Sequence, residues 1–269
     1  IPGVKPGNNT KEYLDAIIYG GDQIWSKFEY GFDDIWWGIK DSNTDKRISY
    51  AASMGVLDIE KGDGEFVKKA LERFSAVSVL EKNFQGFLNL HHLFKNNVEL
   101  MIDPTFLLRK EEWSKINSKR MVKEPYLLFY DFQKDEKTTQ LAHYIAELKH
   151  LQIIRLSDGV EHVDKEGGYM VTAGPTEFIS LFRYSDFVVT SSFHGTAFSM
   201  IFNKPFYVRQ IWNTDRVKTL LDIMGLSGRF IDKIDDVDID KPIEYNLVNI
   251  KIEQHRQKGL AFLKDNLLE

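Results

Sequence analysis

The feature that most limits the fold of this chain is a regular alternation between short apolar runs and amphipathic helical patterns. The apolar runs are rich in β-branched and aromatic residues, as expected for buried strands. They are 16–19, 48–52, 76–80, 98–102, 126–130, 151–156, 187–190 and 206–209. Helical patterns separate several of these runs, and parallel strands need such long crossover connections. The alternation therefore predicts parallel sheets with crossover helices.

Local signals mark where several of the helices begin and end. Asp135 is placed to cap a helix whose apolar residues recur at i, i+3, i+4 and i+7. Pro175 suits the first turn of another helix. Gly225 is a stop signal for a helix that Thr214 is expected to cap. The last pattern, 243–268, predicts a long helix with no strand after it.

A polar stretch over 110–123, rich in Lys, Glu and Ser, interrupts the alternation. A chain of 269 residues is expected to hold two domains or one large one, at roughly 100–200 residues per domain. We therefore predict two α/β domains, 1–115 and 122–240, and a C-terminal helix at 243–269 that packs back across both. Because the chain begins without an initiator Met, we expect a further N-terminal segment before it.

The composition excludes several functional classes. The chain has 35 basic and 40 acidic residues, so it lacks the basic excess expected of a nucleic-acid-binding protein. The absence of Cys excludes a disulfide framework, a thiolate nucleophile and a Cys-ligated zinc site. No stretch approaches the roughly 20 apolar residues of a membrane span, and the first residues lack the features of a signal peptide. We expect a cytoplasmic protein with no metal site, no nucleic-acid partner and no integral membrane segment.

The segment 186–199 holds the residues best suited to chemistry. A buried strand is expected to end at Thr190, and two Ser, a His and a Gly then lead into a helix of small residues. Free N–H groups and the helix dipole favour an anion there, and Gly195 allows a ligand close to the backbone. His194 carries a proton that titrates near neutral pH. Alternatively, Ser192 only caps the helix and His194 is structural, and the pattern leaves both interpretations open.

Other candidate residues follow the ends of predicted strands. Asp22 and Gln23 come after the first strand and two glycines, where they could hold hydroxyl groups of a ligand, or Asp22 could act as a base. The alternative is a turn with a capping residue. Asp131 follows a strand of the second domain, and its alternative is also a turn residue. Three aromatic residues suit either stacking on a ligand or core packing, of which packing is the commoner role. They are Trp25, Trp36 and Trp37.

The segment around His194 resembles the signature of the polysaccharide pyruvyl transferase family, in which a strand is followed by Ser or Thr, His and Gly and then a helix. Further pieces resemble the same family in the same order, between Gly21 and Arg229. They are 21–25, 48–55, 103–107, 174–178 and 203–205. The resemblance implies an α/β fold with two Rossmann-like domains facing across a cleft, as in glycosyltransferases of the B type. It also implies that the N-terminal part is incomplete here.

The resemblance implies transfer of pyruvate from phosphoenolpyruvate to a sugar of a cell-surface polysaccharide, forming a ketal. It implies no cofactor, with phosphoenolpyruvate as donor substrate and a free or lipid-linked saccharide as acceptor. His194 is then expected to bind the donor and act as an acid, and Asp22 is the candidate base on the acceptor side. The remaining candidates are expected to bind substrate. They are Ser191, Ser192, Gly195, Arg209, Arg216, Gln23 and Asp131.

The chain departs from the family pattern at two positions. Many relatives carry an Arg two residues before the His, and often another at the end of the strand that starts here at Ala76. This chain has Ser192 and Leu80 instead. Because a guanidinium is the natural partner of phosphate and carboxylate, Arg209 or Arg216 is expected to compensate, although each could be a surface charge. A nucleotide-sugar glycosyltransferase of the same fold and a non-catalytic two-domain ligand-binding protein stay open as alternatives.

Overall fold

The chain forms two compact units, each with its own parallel sheet. Unit 1 takes the chain up to Pro104 and again from His255, and unit 2 is Thr105–Gln254. The computed structural model of the protein describes residues 13–40, 43–60, 62–116, 119–157 and 169–268. The expected α/β class with parallel sheets is therefore confirmed. The expected domain limits, and the packing of the C-terminal helix across both domains, stay predictions.

Unit 1 is built on a four-stranded sheet whose neighbouring strands are consecutive in the chain and parallel. The strands are β1 (Ile17–Gly20), β2 (Arg47–Ala52), β3 (Ala76–Val79) and β4 (Glu99–Leu100). The helices that accompany them are α1 (Lys27–Tyr30), α2 (Asp63–Leu71) and α3 (Lys82–Leu90). Trp25 and Trp37 stack in the core with ring centroids 4.6 Å apart, and both are fully buried. These two residues therefore pack the core, the commoner role of aromatic side chains.

Unit 2 contains a five-stranded sheet, also parallel throughout. In chain order its elements are α4 (Lys110–Trp113), β5 (Tyr126–Tyr130), α5 (Glu136–Lys149), β6 (Gln152–Ser157), β7 (Tyr169–Thr172), α6 (Pro175–Tyr184), β8 (Phe187–Thr190), α7 (Phe193–Ile201), β9 (Phe206–Val208) and α8 (Asp215–Met224). The strand order is β7-β6-β5-β8-β9, so the sheet grows in opposite directions from β5. The long helix α9 (Tyr245–Leu268) begins in unit 2 and ends in unit 1. Short 3₁₀ turns occupy Pro104–Leu107, Ser227–Arg229 and Ile234–Asp236.

Most of the local signals act as expected. The Asp135 side chain accepts a hydrogen bond from the Thr138 N–H at 2.9 Å and so caps α5. Pro175 is the first residue of α6, and Gly225 ends α8 with a φ of 75°. Thr214 occupies the N-cap position of α8 as expected, but its side chain forms no capping hydrogen bond there.

Two strands differ from the expectation. The strand expected over 98–102 is reduced to the two residues of β4. Strand β7 was not expected from the sequence, and it pairs only with β6 at the edge of its sheet. Its residues Tyr-Met-Val-Thr form a short apolar run between Gly168 and Gly174, so a strand signal of four residues was present in the sequence.

Candidate functional site

The topology of unit 2 marks one place on its sheet as the natural ligand site. The strand order reverses between β5 and β8, whose last residues, Tyr130 and Thr190, are paired in register. In open α/β sheets, ligands bind outside the carboxyl ends of the strands at such a reversal. We call this region the switch-point edge, defined by the residues that directly follow β5, β8 and β9.

Hydrogen bonds fix the turn that leaves β8. The fully buried Thr190 hydroxyl donates to the Tyr130 carbonyl at 2.6 Å and accepts from the Ser192 N–H at 2.9 Å. The Ser191 N–H donates to the same Tyr130 carbonyl at 3.1 Å. The turn is therefore held rigidly against the end of β5, and this rigidity sets where α7 begins.

Two of the predicted site residues meet at this edge. The Ser191 hydroxyl donates to Asp131 Oδ1 at 2.5 Å and accepts from the Phe132 N–H at 2.9 Å. Asp131 Oδ1 also accepts from the Gln133 N–H at 2.9 Å. In this arrangement Asp131 orders the loop after β5 and ties it to the turn after β8. Direct contact of either residue with a ligand stays a prediction.

Ser192 and Gly195 have local structural roles, and capping of α7 by Ser192 is one of the two expected interpretations; contact of either residue with a ligand stays a prediction. The Ser192 hydroxyl caps α7 by accepting from the Gly195 N–H at 3.2 Å. A Cβ on Gly195 would lie 2.3 Å from Thr190 Oγ1, so this glycine is needed for helix–strand packing. The N–H groups of Ser191, Ser192 and Gly195 are all used inside the turn. They were expected to be free for an anion.

His194 lies in the first turn of α7, directly after Phe193, and its side chain is half-buried. The rings of the two residues are perpendicular, with centroids 5.4 Å apart. This position puts an imidazole where the helix dipole favours negative charge. The structure thus places His194 at the switch-point edge, while its chemical role stays a prediction.

The two candidate arginines occupy different environments. Arg209 follows β9 and forms an ion pair with Asp135, the residue that caps α5, in a mostly buried setting. Arg216, in the first turn of α8, is 8% exposed, and its guanidinium carbon lies 5.0 Å from the centre of the Phe193 ring. Arg216 is therefore a buried residue beside the first turn of α7, and not a surface charge.

Three residues that the sequence did not indicate complete this edge. The Gln210 amide donates to the Ser191 carbonyl at 2.5 Å. The Gln133 side chain accepts from the Ile211 N–H at 2.7 Å and donates to the Trp212 carbonyl at 3.0 Å. Trp212 is 51% exposed, which is unusual for its type. The sequence signal for these residues was their position in the loops after β5 and β9, because the loops that follow parallel strands all lie at the same edge of the sheet.

Asp22 and Gln23 belong to unit 1, whereas the other predicted site residues belong to unit 2. Asp22 is exposed in the loop after β1, and its carbonyl accepts from the Ser53 N–H at 3.1 Å. The Ser53 hydroxyl in turn donates to Glu81, a carboxylate that is 1% exposed and also accepts from the Gly55 N–H at 3.1 Å. A buried carboxylate thus supports the loop that carries Asp22, which the sequence did not indicate.

Among the described residues, no cluster of His, Asp or Glu has the arrangement of a metal site. In the same part of the chain, no helix is long and apolar enough to cross a membrane.

The fold and this edge define an α/β protein with a polar site where a parallel sheet reverses its strand order. A family model described as polysaccharide pyruvyl transferase matches residues 3–209, which is more than half of the chain. The protein belongs to the polysaccharide pyruvyl transferase family, so the resemblance seen in the sequence is confirmed. Membership makes it a transferase that acts on polysaccharide. No curated protein matches the chain significantly.

Two solved structures are remotely similar. The spinosyn forosaminyltransferase SpnP has 12% identity and a TM-score of 0.47, over 95% of this chain and 77% of that chain. The Arabidopsis thaliana UGT89C1 complexed with quercetin has 11% identity and a TM-score of 0.40, over 83% of this chain and 61% of that chain. The assignment to the family therefore rests on the family-model match and not on these structural similarities.

Proposed function

We propose that the protein transfers pyruvate from phosphoenolpyruvate to two hydroxyl groups of a saccharide, forming a ketal and releasing phosphate. One observation carries the proposal. His194 and Phe193 open α7 at the switch-point edge, and the buried Arg216 guanidinium packs on the Phe193 ring. A proton donor and a cation therefore lie at the start of one helix, which suits a donor with two anionic groups.

Binding of the donor is assigned mainly to Arg216 and the first turn of α7. The helix dipole favours an anion there by about 0.3–1 kcal/mol. A hydrogen bond to a charged group contributes about 1.5–3 kcal/mol, so one arginine outweighs the dipole. Arg216 is chosen over Arg209 because its guanidinium lies on the ring of Phe193, the first residue of α7. Ser191, Ser192 and Gly195 are assigned to shaping the turn on which the donor rests.

The chemistry needs an acid for the donor and a base for the acceptor. His194 as imidazolium would protonate the methylene carbon of phosphoenolpyruvate, which makes the neighbouring carbon electrophilic. A first sugar hydroxyl adds to that carbon and loses its proton to a base, for which Asp22 is the candidate. A second hydroxyl of the same sugar then displaces phosphate, and its proton leaves with the phosphate.

The acceptor is proposed to be a sugar of a cell-surface polysaccharide, free or lipid-linked. Asp22 and Gln23 are the candidate contacts to its hydroxyls. The exposed Trp212 at the switch-point edge is a further candidate, because an aromatic face packs well on the apolar face of a sugar ring. Phosphoenolpyruvate is an intermediate of central metabolism, so the reaction is proposed to take place in the cytoplasm.

The decisive test is turnover with a defined donor. The purified chain is incubated with phosphoenolpyruvate and oligosaccharides of the native polysaccharide, and both phosphate release and the product mass are measured. Stoichiometric phosphate and a pyruvate ketal on the sugar support the proposal. In parallel, thermal shifts are compared for phosphoenolpyruvate and nucleotide sugars. Stabilisation by a nucleotide sugar alone, with no phosphate released from phosphoenolpyruvate, would replace the proposal with glycosyl transfer.

A further inference from the structure

The polar stretch between the two predicted domains lies along helix α6 of unit 2. The Ser180 hydroxyl donates to the Lys119 carbonyl at 3.0 Å, and the Arg183 guanidinium donates to the Ser114 carbonyl at 3.1 Å. The Arg120 guanidinium carbon lies 5.7 Å from the centre of the Tyr184 ring. These three contacts fix the described parts of the stretch on one side of α6.

This side of unit 2 concentrates positive charge. Residues 108–124 contain six basic and three acidic residues, in a chain whose net charge is -5. Most of the basic side chains are exposed, and Arg183 of α6 is half-buried beside them. We call this region the basic surface. It consists of Arg183 and of five of those six basic residues, namely Lys110, Lys115, Lys119, Arg120 and Lys123; the sixth, Arg109, forms an ion pair with Glu253.

The pKa of the neighbouring Lys204 is sensitive to this charge. The Lys204 ammonium group donates at 2.8 Å to the carbonyl of Ser185, which lies two residues before β8. Burial lowers the pKa of Lys204 to about 8, and the nearby Lys110, Arg120 and Arg183 lower it further, against the opposing effect of Asp186. Because a like charge disfavours the charged form of a lysine, these cations act together on one region.

Exposed apolar side chains lie in the same stretch. Ile116 is 49% exposed, Met121 is 42% exposed and Leu108 is 39% exposed. A soluble anion such as phosphate would need the cations alone. Cations with interleaved exposed apolar side chains are typical of surfaces that bind an anionic membrane, where headgroups meet the charges and acyl chains meet the apolar groups.

The basic surface is also placed so that docking would leave the proposed active site open. Ser185 and Lys204 lie two residues before β8 and β9, and therefore at the amino edge of the unit 2 sheet. His194 lies at the opposite, carboxyl edge of the same sheet.

We propose that the basic surface of unit 2 docks the protein onto an anionic lipid membrane, with Ile116 and Met121 inserted between the headgroups. The occupant is a lipid bilayer carrying negatively charged headgroups. The inference does not depend on the reaction that the protein catalyses.

The test is co-sedimentation of the full chain with vesicles. We expect binding to vesicles of phosphatidylcholine mixed with phosphatidylglycerol, little binding to phosphatidylcholine alone, and weaker binding as salt is added. The double variant Lys115→Glu/Lys123→Glu should weaken binding by about tenfold or more, since each basic residue near an anionic surface adds to the attraction. The double variant Ile116→Ser/Met121→Ser should also weaken binding while keeping the dependence on salt.

A matched control has the same charge change elsewhere. Lys68 and Lys69 are two exposed lysines on α2 of unit 1, and Lys68→Glu/Lys69→Glu should bind vesicles like the wild type. Equal loss in this control would mean that only net charge matters and would overturn the proposal. So would equal binding to both kinds of vesicle, or no binding to either. If dextran sulfate binds and Ile116→Ser/Met121→Ser has no effect on either partner, the surface recognises a soluble polyanion instead. Melting temperatures of all variants confirm that they are folded.

Discussion

The carboxyl edges of the two sheets differ in the residues that follow their strands. In unit 2, β8 is followed by hydroxyl side chains and the start of α7, with the buried cation Arg216 next to it. In unit 1, β3 is followed by the buried carboxylate of Glu81, which accepts a hydrogen bond from Ser53 after β2. One edge is therefore suited to an anion, and the other is built around a buried carboxyl group.

The difference shows how one architecture can supply two kinds of site. A parallel sheet brings the ends of its strands to one edge, whatever residues stand there. The chemistry of that edge depends on the few residues that follow each strand. In a transferase this separation is useful, since an anionic donor and a hydroxyl-bearing acceptor need different surroundings.

The largest effect is expected from His194→Ala, which removes the proposed acid from the unit 2 edge. General acid catalysis typically contributes about 10²–10⁴-fold, so kcat should fall by that range while the melting temperature stays near its original value. His143→Ala on the exposed face of α5 is the control and should keep full turnover. If the His194 variant unfolds while its folded fraction is fully active, His194 is structural.

Gly195→Ala tests whether close packing sets the shape of the unit 2 edge. The new methyl group would meet Thr190, which hydrogen bonds hold in place, and overpacking of this kind costs about 1–3 kcal/mol. Chemical denaturation measures the change in the free energy of unfolding. Gly86→Ala in α3, where a Cβ meets nothing within 4 Å, is the control and should be neutral or stabilising. Equal stability of both variants would show that the turn after β8 adapts easily.

Arg216→Ala and Arg209→Ala separate the two cations near the unit 2 edge. Titration with phosphoenolpyruvate should show an affinity loss of about tenfold or more, about 1.4 kcal/mol, for Arg216→Ala. Arg209→Ala should mainly lower the melting temperature, because it leaves the mostly buried Asp135 carboxylate without its ion pair. Unchanged donor affinity in both variants would mean that the cation comes from elsewhere.

Ser53→Ala tests the unit 1 edge by itself. The variant loses the hydrogen bond to the buried Glu81, which should cost about 1–3 kcal/mol of unfolding free energy because a buried polar group loses a partner. The backbone N–H of Ser53, which holds the Asp22 loop, is kept but loses the anchor that the hydroxyl gives it on Glu81, so we expect a higher KM for the acceptor and an unchanged Kd for the donor. Ser75→Ala, an exposed serine of the same unit, is the control. A weaker donor affinity in Ser53→Ala would contradict the division of roles between the two edges.

The smallest effect is expected at the amino edge of the unit 2 sheet, which lies opposite the carboxyl edge of the same sheet. The pKa of Lys204 is about 8, against an ordinary value of 10.5. Between these values the unfolded chain binds more protons than the folded one, so this group makes stability rise with pH. The melting temperature of wild type relative to Lys204→Met should therefore increase from about pH 7.5 to about pH 9.5. A constant difference would show that Lys204 is as solvated as a surface lysine.

Much of the fold was accessible from the sequence because strand and helix patterns are local. The runs at β5 and β8 and the capping residue Asp135 all lie where their patterns predict. Edge strand β7 was missed, although its run of Tyr-Met-Val-Thr is visible in the sequence, because so short a run does not by itself distinguish a strand from a loop. For the site, His194 and its helix start were identifiable, because the change from a strand to a helix with Ser, His and Gly is visible in one short segment.

The sequence by itself determined that the chain alternates strands and helices, that His194 opens a helix after a buried strand, and which family the protein belongs to. Only the tertiary structure decided that Arg216 is buried on Phe193, that Arg209 pairs with Asp135, and that Glu81 supports the loop of Asp22. Secondary structure and caps depend on residues within a few positions of each other. Ion pairs and buried charges depend on residues brought together from distant strands, and their partners are therefore set by the strand order and by packing.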